Sequence, residues 1–304
     1  MPRTFWLILV MPFFLSCSGE SVESPDQTDS DSVERPDQSD MDFASYSLCF
    51  SANKEVHEES GPRAVGGGTG ESVIVHLNGH PIWFKWNRGF YKPVNQFMVN
   101  KRNIIEVEGD LTTIGYVKIT RTVGTKATDI LRFAVSPSND RAGGRSTFQF
   151  SESVPYEIKV DNVMDDGRRR DEVTKTVVDK ARSLYTAIAS GDHDVAARLL
   201  SEGYRRWAHD AYGQSKQHIE EVVENYKTLW KTNGFTITEP NWKSVRLLFG
   251  EKSVFMYTAW DERSGNPYLF EAKIREPSGK QTKIKLWSLR FVFSKGKCVI
   301  WSPQ

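Results

Sequence analysis

The alternation of apolar and polar positions divides the chain into stretches of different character. Phe5 to Leu15 (FWLILVMPFFL) is an unbroken apolar run of eleven residues. Ser18 to Asp42 has no aromatic residue and no apolar period. From about Phe43 to Asp165 the signals are those of short strands. Ser72 to Leu77 (SVIVHL) leads into Asn78-Gly79, the dipeptide of a two-residue hairpin, and His80 to Trp86 resumes the apolar pattern. Asn103–Glu108, Tyr116–Thr122, Ile130–Val135, Thr147–Phe150 and Tyr156–Val160 read as further strands. Many strands at close spacing, with Gly, Pro and Asn turns between them, predict an all-β sandwich.

The period changes after the Met164–Arg170 stretch (MDDGRRR). Val173, Val177, Ala181, Leu184 and Ile188 recur at spacings of four, four, three and four, which predicts an amphipathic helix ended by Gly191. Asp192 caps a second, shorter helix burying Val195, Ala196, Leu199 and Leu200. Ser215 caps a third, with Ile219, Val222, Val223, Tyr226, Leu229 and Trp230 on one face, and Asn233-Gly234 stops it. Strands then read at Phe235–Thr238, Trp242–Phe249, Ser253–Trp260, Tyr268–Ile274, Thr282–Phe293 and Lys297–Trp301. In the longest, Trp287, Leu289, Phe291 and Phe293 share one face, while Ser288 and Arg290 share the other. That pattern predicts an antiparallel sheet with one buried face and one wetter face. Three helices on a curved antiparallel sheet make this part α+β.

Four regions follow: residues 1–17, a signal peptide ending at Cys17; 18–42, a disordered acidic linker; 43–165, the sandwich; and 166–304, the α+β domain. The apolar run is too short to span about 30 Å of hydrocarbon and fits the core of a secretory signal. The formal net charge of +1 is unevenly laid out. Residues 18–42 hold nine acids and one base (Arg35), a net −8, whereas residues 166–304 hold 24 bases and 17 acids, a net +7. The linker contains the near-repeat Pro25-Asp26-Gln27-Thr28-Asp29 and Pro36-Asp37-Gln38-Ser39-Asp40, and its like charges extend it. Three cysteines (Cys17, Cys49 and Cys298) do not make a disulfide framework. Cys49 and Cys298 are expected as free, largely buried thiols.

Phe14-Leu15-Ser16-Cys17 resembles a bacterial lipobox, with Ser16 at the small position and Phe14 and Leu15 departing from the usual Leu and small residue. The resemblance implies lipidation of Cys17, a cell-envelope location and membrane attachment through the lipid. Ser16-x-Ser18 also satisfies the rule for ordinary cleavage after Ser18, which stays open. Val75-x-Leu77-Asn78-Gly79-x-Pro81 and Lys101 to Val107 (KRNIIEV) resemble the paired strands of galactose-binding-like jelly rolls. Ala187-Ile188-Ala189-Ser190-Gly191-Asp192, Ala196-x-x-Leu199-Leu200, Gly250-x-x-Ser253-Val254 and the ending Phe291-x-Phe293-x-x-Gly296-Lys297-Cys298-Val299-Ile300 resemble the NTF2-like (SnoaL-like) superfamily. That family implies a cone-shaped α+β fold, dimerisation through the sheet's open face, and a function range from isomerases, dehydratases and cyclases to non-catalytic binding modules.

Candidate chemistry is sparse. Tyr204, Trp207, His209, Asp210 and Tyr212 fall in the segment expected between the second and third helices, and Tyr226 and Trp230 are candidates to line a hollow with them. His209 and Asp210 are adjacent, so on most backbones their side chains diverge. Trp83 and Trp86 are candidates for stacking on a sugar ring, against the alternative that they pack into the sheet. His76 and His80 are separated by the Asn-Gly turn, so their spacing is not that of a helical zinc site. Gly66 to Gly70 (GGGTG) lacks the Lys-Ser/Thr pair of a phosphate loop. No metal, cofactor or nucleic acid is implied. Three readings remain: an envelope lipoprotein that binds or scaffolds without catalysis, its partner a small ligand, a glycan or another envelope protein; an NTF2-like enzyme with His209 or Asp210 as base; and a carbohydrate-binding accessory protein.

Overall fold

A computed structural model of the chain describes residues 44–51, 72–85, 90–108, 114–135, 145–156, 158–261, 267–276 and 278–303. The fold is mixed: small antiparallel sheets run through the whole of it, and among the described residues three α-helices lie in the C-terminal part. The N-terminal part holds β1 (Ser45–Ser51), β2 (Ser72–Leu77), β3 (His80–Lys85), β4 (Phe90–Pro93), β5 (Lys101–Glu108), β6 (Gly115–Val123), β7 (Lys126–Val135) and β8 (Arg145–Glu152). They form two sheets, ordered β4-β1-β6-β7 and β3-β2-β5-β8. Alternation explains their inner faces. Leu48, Phe50, Val117 and Ile119 from the first sheet join Val73, Val75, Leu77, Ile105 and Val107 from the second in one hydrophobic cluster. The β2–β3 turn takes positive φ at both Asn78 (51°) and Gly79 (79°), the backbone a two-residue hairpin needs. The Asn78 amide ties this turn to its neighbours, donating to the Phe97 carbonyl and to Asn103 Oδ1, each at 2.8 Å.

Helices α1 (Arg170–Ala189), α2 (His193–Tyr212) and α3 (Lys216–Trp230) follow. Asp192 Oδ1 accepts the Val195 N–H at 3.2 Å and Ser215 Oγ accepts the His218 N–H at 3.1 Å, so both expected caps form. Gly191 takes φ 80° just past α1. The strands are β9 (Thr236–Thr238), β10 (Arg246–Phe249), β11 (Val254–Tyr257), β12 (Ala259–Trp260), β13 (Pro267–Tyr268), β14 (Phe270–Arg275), β15 (Gln281–Leu286), β16 (Leu289–Ser294) and β17 (Lys297–Pro303). They pair as β10-β11-β16-β17, β15-β14-β9 and β12-β13.

Several expectations are corrected. The described residues of the expected 156–160 strand, Tyr156 and Ile158 to Val160, make no strand; instead Tyr156 uses its hydroxyl to donate to the Asn95 carbonyl at 2.9 Å. β1 and β4 were not anticipated, because SYSLCFS has a short apolar period and FYKP is brief. The run Thr282–Phe293 is two strands in two sheets, broken at Trp287, whose φ of 22° is a left-handed value that a bulky side chain rarely adopts.

The wetter face expected for Ser288 and Arg290 does not exist: both are 0% exposed. The physical reason is that the β10-β11-β16-β17 sheet is covered on both sides. Leu289, Phe291 and Phe293 of β16, with Ile300 of β17, pack with Val177, Ala181 and Leu184 of α1. Val292 and Trp301, of opposite parity, pack with the N-terminal strands and with Tyr204, Trp207 and Ala208 of α2. This sheet is therefore a wall shared by two cores.

Helix α2 runs 20 residues, well past the Leu199-Leu200 pair. Gly203 lies within it, and an ideal Cβ there would meet the Ile300 carbonyl oxygen at 2.4 Å and the Trp301 Cα at 2.5 Å. The glycine that weakens the helix locally, by about 1 kcal/mol relative to alanine, is what lets its backbone lie directly on β17.

Candidate functional site

The residues singled out from the sequence fall into two groups. Tyr204, Trp207, His209, Asp210 and Tyr212 all lie in α2 and not in a connecting segment. Tyr204 and Trp207 are buried, their rings 5.0 Å apart and edge to face. Trp207 donates its indole N–H to the Trp301 carbonyl at 2.6 Å, and Tyr204 donates its hydroxyl to Gln214 Oε1 at 2.7 Å. Burial pushes the Tyr204 phenol up to about 12. Tyr226 and Trp230, on α3, lie with ring centroids 6.1 Å apart, and Trp287 meets them edge-on at 5.3 and 6.2 Å. Burial raises the Tyr226 phenol as well. Such geometry maximises aromatic contact and suits packing.

His209 and Asp210 do not diverge: Nδ1 and Oδ1 stand 3.2 Å apart. Their side chains are, however, 70% and 51% exposed, on the last turn of α2. A couple in water lacks the desolvation that tunes a general base. The Trp83 backbone pairs with Ile74 on β2; the Trp83 side chain, all of Trp86, Cys17 and the whole N-terminal region lie outside the described residues. Among the described residues no three His, Cys, Asp or Glu side chains gather as a metal site, and no helix is long and apolar enough to cross a membrane.

Among the described residues a buried polar cluster forms that no motif along the chain marks. It sits where the N-terminal strands meet the shared wall. His80, at the start of β3, is buried, and its Nδ1 is 3.0 Å from Ser253 Oγ. Arg290 of β16 donates to the same oxygen from Nη1 at 3.1 Å. The guanidinium lies 4.6 Å from the Phe97 ring centroid and 5.4 Å from that of Phe255. His80 and Phe97 rings are 4.8 Å apart. Burial, then the nearby Arg290, Lys252 and His76 charges, hold the His80 imidazole well below its ordinary value. Burial, with Arg290 nearby, pulls the Lys92 ammonium down to about 8. Burial also lowers the Arg290 guanidinium, which stays protonated at neutral pH.

Beside it, Asn95 donates to the Ala44 and Ala211 carbonyls, each at 2.8 Å, and accepts the Tyr46 N–H at 2.6 Å. Tyr212 donates its hydroxyl to Gln96 Oε1. The 3-10 turn Asn95–Phe97 thus binds the end of α2 to the start of β1. One signal for this joint was present in the sequence. Val299, Ile300 and Trp301 are apolar at both parities, the mark of a strand buried on both faces. Ser288 and Arg290, read alone, masked it.

Comparison of the chain with protein-family models, with curated proteins and with solved structures finds no match in any of the three.

Proposed function

We propose that the chain is an envelope-anchored lipoprotein that binds or scaffolds without catalysis, with a β-sandwich (residues 43–165) and an NTF2-like cone (166–304) held together as one body. The partner is a small ligand, a glycan or another envelope protein, and Cys17 carries the lipid. The observation that carries the reading is the filling of the space between helices and sheets. Tyr226, Trp230 and Trp287 contact one another ring to ring on the helix side of the C-terminal sheet, where an NTF2-like enzyme would hold a desolvated acid or base, and Tyr204 and Trp207 pair edge to face in the other core. The two hydrophobic clusters that include both N-terminal sheets, and the helices with the C-terminal sheets, support the sandwich and cone readings. The eleven-residue apolar run and the lipobox-like Phe14 to Cys17 support export and anchoring. Two or more acyl chains on Cys17 would anchor stably where a single chain would not.

Labelled fatty acid and complementation of a deletion strain test this together. Wild-type protein takes up label and sediments with membranes. The Cys17→Ser variant takes up none and fails to complement, while the double variant His209→Ala, Asp210→Ala complements as wild type. The opposite pattern, an unlabelled but functional Cys17→Ser and an inactive double variant, overturns the proposal in favour of an enzyme.

A further inference from the structure

The tip of the β2–β3 hairpin is seated on the turn between β10 and β11, and the contacts converge on one imidazole. The Gly79 carbonyl accepts the Lys252 N–H at 3.0 Å. Gly250 leaves no room for a side chain, because a Cβ there would stand 2.2 Å from the Gly79 carbonyl oxygen. Beside this, His80 Nδ1 and Arg290 Nη1 both reach Ser253 Oγ. Arginine only donates, so the serine oxygen accepts from it; that oxygen keeps a second lone pair and its own hydrogen, so the direction of its bond with His80 Nδ1 follows the tautomer of the ring. Burial and the surrounding cations keep the ring neutral in the seated form.

The groups facing the ring come from three elements. Lys252 belongs to the β10–β11 turn, Arg290 to β16 and His76 to β2, and each opposes a positive charge on His80. Lys92 of β4 lies near enough to Arg290 to feel its charge. Of the acids nearby, Glu251 borders Gly79 with its stem, and Glu108 is engaged with His76 at 3.4 Å.

We propose that this seat is an acid-released latch between the two halves: protonation of His80 unseats the hairpin tip from the β10–β11 turn while the sheets of each half persist. A second proton on the ring sets a third cation beside Arg290 and Lys252 in a dry place. Unseated, the ring meets water and its ordinary affinity for a proton returns. The open form therefore binds the proton more tightly, and acidification favours it by about tenfold for each pH unit below roughly 6.5. For a protein held outside the cytoplasm, such a device would report the acidity of the medium.

Amide exchange of the full chain, corrected for the intrinsic pH dependence of exchange, tests the latch at about pH 7.5 and about pH 5. Protection at residues 78–82 and 250–254 falls by at least about tenfold in acid, together, while β6 and α1 keep theirs. In His80→Gln the acid and neutral patterns coincide. The proposal is overturned by unchanged protection at the seat, by a loss spread equally over β6 and α1, or by an equal loss in His80→Gln. If that variant does not fold, the locality of the wild-type loss decides alone.

Discussion

The guanidinium of Arg290 lies 4.6 Å from the centroid of the Phe97 ring, one residue from the last strands and one from the first half of the chain. Arg290 is 0% exposed, and β16 presents it to a face that also carries Val292 into the N-terminal core. A strand with a charged residue in the middle of an apolar run usually turns that residue to water. Here the water has been replaced by a ring face, a serine hydroxyl and the hairpin.

Removing the ring face should therefore loosen the joint. Phe97→Leu keeps an apolar body and loses both aromatic area and the cation–π contact, so stability falls by about 1–3 kcal/mol. Denaturant unfolding checks this as a lower midpoint with an unchanged slope. No loss would mean that the Arg290–Phe97 contact contributes nothing.

Gly203→Ala gives a sign opposite to helix propensity. In an exposed helix the change would gain about 1 kcal/mol. In α2 the new Cβ meets the backbone of Ile300 and Trp301 at 2.4–2.5 Å. Backbone cannot yield as a flexible side chain can, so the variant loses about 2 kcal/mol or more and melts lower. A higher melting temperature would contradict the packing of α2 on β17.

The joint also gives a basic-side pH effect. Lys92 is held at about 8, below its ordinary 10.5, so between those values the unfolded chain binds the proton and the folded chain releases it. Stability contributed by this group thus rises as pH climbs through 8 toward 10.5, with a slope of at most about 1.4 kcal/mol per pH unit. Lys92→Met should flatten the stability–pH curve between about pH 8 and 9.5 relative to wild type. Parallel curves for the two proteins would mean that neither burial nor Arg290 lowers the Lys92 ammonium in the folded chain.

Both described cysteines are free, Cys49 buried and Cys298 partly so. Burial pushes both thiols up to about 12. Neither thiolate forms near neutral pH, so in a Cys17→Ser background an aromatic disulfide reagent should label neither residue in the native protein and both after denaturation. Rapid native labelling of Cys49 would contradict its burial on β1, between β4 and β6.

Much of the local structure was legible in the sequence. The caps at Asp192 and Ser215, the Asn78-Gly79 hairpin and the apolar stripe of α1 rest on neighbours a few residues apart, and each formed as expected. What was not legible depends on distant parts of the chain. The length of α2 is decided by β17, which accepts the bare backbone at Gly203. The break at Trp287 is decided by two sheets that pull its flanking strands apart. The burial of Arg290 is decided by a ring and a hairpin from the other half. Of the candidate residues, Tyr204, Trp207 and Trp230 lie in the interior, while the pattern along the chain does not mark the polar cluster at the joint. Its members are spread from His80 to Arg290 and share no motif.

Equilibrium unfolding of the full chain at neutral pH tests the shared wall most directly, followed at once by tryptophan fluorescence and by far-ultraviolet circular dichroism. If the β10-β11-β16-β17 sheet is a common floor for both cores, the two signals trace one coincident transition. Two separated transitions, with the helices surviving the loss of the N-terminal strands, would show that each half stands alone and that the wall is not shared.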